Sequence, residues 1–190
     1  EKPQGIAGRK IFIPFMSDCS YGMAAAMKAH GRDAEVMRCS DEEGLIIGRK
    51  FTTGKECLPC AITTGDMLTA ARRKDFEPER SAFFMPSTSG PCRLGLYNCL
   101  QRFVLGYAGL DEAMIVSPNQ DTSFYEEFAC STDKSRWGFM LDAWIAMVGI
   151  DLIGKLLLKI RPYAEDKQAV QQAYGECLKI WLEAAENGTP

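Results

Sequence analysis

The sequence predicts an α/β fold: a Rossmann-like parallel sheet of about four strands with helices on both faces, followed by a C-terminal helical extension. Three observations predict it. Short β-type runs alternate with helical patterns from Lys10 to Ser117. Three of those runs are each closed by a proline, at Pro14, Pro86 and Pro118. Proline cannot donate to a sheet ladder, so each marks a strand end. After about Asp121 the pattern changes to two long helical stretches.

The elements follow in order. Lys10 to Ile13 is the first strand, and Pro14 ends it. Tyr21 to Ala29 is an Ala/Met-rich helix stopped by Gly31. Ala34 to Met37 is a weaker strand. Asp41-Glu42-Glu43 opens a short helix through Ile47, with its acidic residues at the positive end of the dipole. Cys60 to Lys74 is a helix whose Arg72-Arg73-Lys74 suits the negative end. Ser81 to Met85 and Ala113 to Ser117 are strands, with a helix from Leu94 to Tyr107 between them. Trp137 to Ile160 and Asp166 to Glu186 are the long helices, separated at Pro162. The expected division is an α/β domain over residues 1–121 and a helical extension over 122–190 packed on it. Ligands of such sheets bind beyond the carboxyl ends of the strands, where the three proline-terminated loops lie.

Composition narrows the function. The chain has 190 residues, 46% hydrophobic and 25% charged, which excludes a disordered tail or a fibre. A net charge of −3 offers no basic field for nucleic acid. The apolar stretch Trp137 to Ile160 is interrupted by Asp142, Asp151 and Lys155, which argues against a membrane span. No secretory leader is visible, and a cytoplasmic setting is expected. The first residue is Glu1 rather than Met and both ends are polar, so a segment of a longer protein is expected.

Eight cysteines stand against one histidine, His30. A disulfide framework does not suit a chain with a normal core and no leader. Cys177 lies near Trp181 on a helix and reads as a buried small hydrophobe. Cys39 and Cys130 lie near element ends, without a partner at ligand spacing. Cys57 and Cys60 differ, in Lys55-Glu56-Cys57-Leu58-Pro59-Cys60. A two-residue gap lets both sulfurs address one centre, and the following helix N-terminus stabilises thiolates. By itself the pair fits a redox dithiol, half a zinc site or half an iron–sulfur site. A zinc site needs four Cys or His ligands, usually as two close pairs, and no second pair is present. Instead Ser89-Gly90-Pro91-Cys92-Arg93 follows the strand ending at Pro86, which puts Cys92 at the same sheet edge. Three thiolates converging there suit an iron–sulfur cluster. Cys99, seven residues on, is an outside candidate for a fourth ligand, and a buried helix residue is the simpler reading. Glu56, Arg93 and Asp121 are charges near the site; they fit ordinary loop salt bridges, or they tune a cluster or bind an anionic substrate.

Other chemistries fail. Gly48 to Gly54-Lys55 has five residues between its glycines and Glu56 after the lysine, so it is not a P-loop. No GxGxxG occurs, and no histidine is placed for a serine triad.

Several motifs occur in a specific order. They are Ile13-Pro14-Phe15-Met16-Ser17-Asp18, Gly54-Lys55-Glu56-Cys57-Leu58-Pro59-Cys60 with Thr64-Gly65-Asp66, and Phe84-Met85-Pro86. Gly90-Pro91-Cys92-Arg93, Val116-Ser117-Pro118-Asn119-Gln120-Asp121 and Arg161-Pro162-Tyr163 follow. The series, from Lys10 to Tyr163, resembles the cysteine-containing part of the CoA-substrate-specific enzyme activase family, which is related to 2-hydroxyacyl-CoA dehydratase subunits. The resemblance implies a [4Fe-4S] cluster, or a doubled cluster, on Cys57, Cys60 and Cys92. Lys55, Glu56, Arg93, Asn119, Gln120 and Asp121 are expected around those ligands. The resemblance also implies an ATP-hydrolysing activator as partner, in another domain or chain, delivering low-potential electrons to a CoA thioester or similar substrate. The chain lacks an ATPase part and is shorter than a full dehydratase subunit. Two rivals stand beside this reading: a regulatory or docking module using the 137–160 helix, and a thiol redox module using Cys57 and Cys60.

Overall fold

A computed structural model describes residues 6–118 and 136–188. Asn119, Gln120, Asp121 and Cys130 lie outside the described residues. Those described form two compact units, one within Glu1–Phe15 and Arg32–Ser131, the other within Met16–Gly31 and Thr132–Pro190.

The first unit is built on a four-stranded parallel sheet: β1 (Lys10–Ile13), β2 (Ala34–Val36), β3 (Ser81–Phe84) and β4 (Met114–Val116), in the order β2-β1-β3-β4. Phe12 stands opposite Phe83, and Phe83 opposite Ile115, so the three share one face. Phe76 joins them, its ring stacked on Phe83 at 5.7 Å and tilted against Phe12 at 5.6 Å. Residues of the other face, Ile11, Ala82 and Val116, are equally buried. Burial of both faces explains why the strands read as continuous apolar runs rather than as alternation.

Among the described residues of this unit the α-helices are α2 (Glu42–Arg49), α3 (Leu58–Ala71) and α4 (Tyr97–Tyr107). Their Ile47, Met67, Leu68, Val104 and Leu105 pack around Phe12 and Phe83. Asp41 caps α2, its carboxylate accepting from Gly44 N at 2.8 Å. The α2–α3 contact is backbone on backbone. A Cβ on Gly48 would lie 1.8 Å from Ala61 O, and one on Gly65 1.8 Å from Gly44 O. Only glycine permits that approach.

Some boundaries differ from expectation. β3 and β4 end two residues before Pro86 and Pro118. Pairing still reaches the prolines through Met85 N to Val116 O at 2.9 Å and Ser87 N to Pro118 O at 3.0 Å. Helix α3 stops at Ala71, so Arg72-Arg73-Lys74 lies past its last turn. Arg73 instead bridges Asp75 and Glu35 and stands over the Phe12 ring at 5.7 Å. A 3-10 turn, Arg93–Leu96, occupies the expected first turn of α4.

The second unit is three helices: α1 (Cys19–Ala29), α5 (Arg136–Ile160) and α6 (Lys167–Glu186). Although α1 lies between β1 and β2 in sequence, it packs with the C-terminal helices. Ala25, Ala146 and Ala185 meet at the centre, and the Trp181 indole lies against Gly149 and donates to Ala146 O at 2.9 Å. His30, 4% exposed at the end of α1, bonds through Nε2 to Asp142 at 2.8 Å. The one histidine is therefore a packing group of this unit. Along α5, Leu141, Trp144, Val148, Leu152 and Leu156 remain exposed at helical spacing. Among the described residues, no helix is long and apolar enough to cross a membrane.

Candidate thiol site

In the first unit β2 and β3 flank β1, so the strand order reverses there, at β1 and β3. Helices α3 and α4 lead back to β3 and β4, which puts their N-termini toward the carboxyl edge of the sheet. The chain supplies cysteines at those starts.

Cys57 is the N-cap of α3 in an extended conformation, followed by a proline in the first turn. Its carbonyl accepts from Cys60 N at 3.0 Å, which curls the two-residue gap into the helix. Cys57 is half-buried and Cys60 is 4% exposed. Both line a cavity of about 280 Å³ with Lys55, Glu56, Arg93 and Tyr97, and Leu96 and Leu100 supply its apolar wall. Burial pushes the Cys60 thiol up to about 11, with the neighbouring Cys57 and Glu56 adding to the effect. Cys60 thus keeps its proton at neutral pH unless a cation replaces it.

The rim is ordered by charge-assisted bonds. Arg93 donates to Lys55 O at 2.6 Å, tying the turn before α4 to the loop before α3. The Glu56 carboxylate accepts from Thr53 N at 2.8 Å and from Thr53 Oγ1 at 3.2 Å. Its own backbone amide, then Thr53, holds its pKa below the ordinary carboxylate value against the opposing effect of burial. Lys55, Glu56 and Arg93 thus line one cavity with Cys57 and Cys60.

Cys92 does not line the cavity. It is exposed and N-caps the 3-10 turn. Gly95 fixes the loop that carries it: a Cβ there would lie 2.3 Å from Thr88 O, and Ser87 Oγ donates to Gly95 O at 3.3 Å. Cys92 is near enough that its charge adds to the field around Tyr97. Among the described residues no three His, Cys, Asp or Glu side chains gather as a metal-holding group. The arrangement is a pair of thiols with a third on the adjacent loop.

The other cysteines among the described residues lie outside the cavity. Cys99 is exposed, not buried, because Tyr97, Gln101, Val104 and Leu105 are the side of α4 that faces the core. Cys177 is also exposed, contrary to expectation; it sits at the margin of the Val170, Tyr174, Leu178 and Trp181 stripe of α6. Cys39 is exposed and lines a separate cavity with Asp41 and Asp66. Cys19 begins α1 in the second unit.

Tyr97 is the participant that sequence reasoning does not reach. It is the first residue of α4, 5% exposed, and its hydroxyl lies 2.5 Å from Cys57 Sγ. Burial raises the phenol's pKa, and the hydrogen bond to Cys57 adds to the shift. One turn further in, Gln101 Nε2 donates to Thr63 Oγ1 at 3.2 Å, and Thr63 Oγ1 donates to Pro59 O at 2.9 Å. The two links, Tyr97–Cys57 and Gln101–Thr63, pin α4 to α3 beside the thiols. The signal was the helical period itself, since Tyr97 is one turn ahead of Gln101 and follows the Gly-Pro-Cys-Arg run.

No protein-family model, no curated protein and no solved structure matches this chain.

Proposed function

We propose that this chain is the iron–sulfur-cluster domain of an activase/dehydratase-like protein. It takes part in ATP-coupled, low-potential electron transfer to a CoA thioester or similar small substrate. The observation that carries the reading is the thiol pair Cys57 and Cys60, facing one cavity at the start of α3. The donor chemistry fits iron: both ligands are soft sulfur, and the one histidine is held by Asp142 in the other unit. Cys60, desolvated and reluctant to ionise alone, gains from a cation that takes the place of its proton. Cys92 supplies the third ligand from the adjacent loop, and Lys55 and Arg93 offer positive charge to an anionic substrate or a reduced cluster. When bound, the cluster supplies one-electron chemistry. Cys57 and Cys60 would hold it in the cavity, which Leu96 and Leu100 line with apolar surface and Lys55, Glu56 and Arg93 line with charge. ATP hydrolysis belongs to the activator partner.

A second reading has its own observation. Cys57 is half-exposed while Cys60 is buried one helical turn inside, the asymmetry of an attacking and a resolving thiol. One experiment separates the two. Anaerobic reconstitution with iron and sulfide, followed by metal analysis and EPR, is expected to load wild type and Cys177→Ala. Cys57→Ala and Cys60→Ala are expected to lose the cluster. Failure of wild type to retain iron, with a reversible Cys57–Cys60 disulfide in a thiol redox buffer, selects the dithiol reading instead.

A further inference from the structure

We propose that Tyr97 is a positioning residue that sets the reduction potential of the thiol site by donating its phenolic hydrogen bond to the Cys57 sulfur. The inference rests on the Cys57–Cys60 site proposed above and assigns a tuning role to a residue outside the cysteine motif.

The geometry is specific. The Tyr97 hydroxyl lies 2.5 Å from Cys57 Sγ, across 40 residues of sequence. Its ring is 5% exposed and packs in the core with Cys60, Val104 and Leu105. A ring so held has little freedom to turn its oxygen away. The Gln101–Thr63 bond one turn deeper fixes α4 against α3, so the phenol is aimed before anything binds. A sulfur that has lost its proton, either to iron or as a free thiolate, can only accept. The phenol O–H is then the donor.

The sign of the effect follows. A hydrogen bond to a sulfur ligand stabilises the more negative, reduced state of a cluster. In a dithiol pair it stabilises the reduced form against the disulfide, which takes up two electrons and two protons. Removing the phenol oxygen lowers the midpoint potential in both cases.

The test compares the whole chain as wild type, Tyr97→Phe and Gln101→Leu. The phenylalanine variant keeps the ring that fills the core and removes only the donor. Gln101→Leu breaks the neighbouring helix–helix bond without touching sulfur. After anaerobic reconstitution, iron and sulfide contents are measured, and the midpoint is read by dye-mediated titration at one pH. Wild type and Tyr97→Phe are expected to carry equal iron, with the Tyr97→Phe midpoint displaced to more negative potential. Gln101→Leu is expected to melt earlier at an unchanged midpoint. Where wild type retains no iron, the cluster reading fails but the tuning role is still measured. The Cys57–Cys60 disulfide is then equilibrated in metal-free protein against oxidised and reduced dithiothreitol. Tyr97→Phe is expected to shift that equilibrium about tenfold toward the disulfide, about 30 mV for a two-electron couple. An unchanged midpoint in Tyr97→Phe, in whichever form the site takes, overturns the inference.

Discussion

Among the described residues, α1 and α3 each start at or directly after a cysteine, and they differ in what surrounds the sulfur. In the second unit α1 begins at Cys19, whose sulfur has the Met147 carbonyl at 4.0 Å as its contact. In the first unit α3 begins after Cys57, whose sulfur meets a phenol and which lines a cavity together with a second cysteine and two cations. Both helices offer free amides and a positive dipole end. The difference lies in what surrounds the sulfur. A helix start supplies a field, but a second ligand and a space for a guest come only from other elements.

The contrast extends to how each unit is held. The first unit sets its thiols by bringing α2 and α3 into backbone contact through Gly44, Gly48 and Gly65. The second relies on alanines at its centre and on one buried polar pair, His30 with Asp142. The most disruptive way to break the comparison is Gly65→Leu. Its side chain must occupy space within 1.8 Å of Gly44 O. Overpacking against rigid backbone is expected to cost about 3 kcal/mol or more, measured by urea unfolding, with loss of the ordered Cys57–Cys60 pair.

A smaller loss is expected from His30→Ala. Removing the imidazole strands the Asp142 carboxylate, 27% exposed, and deletes the ring that meets Phe139 edge to face at 5.3 Å. Destabilisation of about 2 kcal/mol is expected, given that a partly buried polar group loses its partner. If the units are chemically distinct in the way described, thiol reactivity at Cys57 and Cys60 stays at the wild-type level. A changed reactivity would merge what the comparison separates.

The gentlest probe is pH. In the folded chain burial lifts the Cys60 thiol from 9.0 to about 11. A group with a raised folded pKa contributes its full stability below its unfolded value, and that contribution is lost as pH climbs through the folded value. The metal-free protein is therefore expected to lose stability between pH 9 and about 11, and Cys60→Ala to lose less over the same window. Chemical unfolding on either side of that window reads the difference. Equal losses in the two proteins would remove Cys60 from the account.

Much of the fold was legible because its signals are local. Proline after an apolar run ends a strand, and an Asp-Glu-Glu start opens a helix, as at Pro14 and Asp41. The Cys57–Cys60 pair was legible for the same reason, since two residues of spacing fix where both sulfurs go. Cys92 was harder to place. Its loop is set by Gly95 against Thr88, a contact that no spacing rule encodes. Tyr97 was not reachable from any cysteine pattern, because its bond to Cys57 joins two helices across 40 residues of sequence. The grouping of α1 with α5 and α6 was hidden too. It depends on close contacts at Gly22 with the Ala146–Met147 backbone, far apart in sequence.

The central claim is that Cys57, Cys60 and Cys92 hold an iron–sulfur cluster. Iron-edge X-ray absorption on the anaerobically reconstituted chain tests it most directly. The account predicts a first shell of sulfur with an iron–iron shell behind it, both lost in Cys57→Ala and Cys60→Ala and diminished in Cys92→Ala. Iron bound only through oxygen or nitrogen, or an identical spectrum in all three variants, would contradict it.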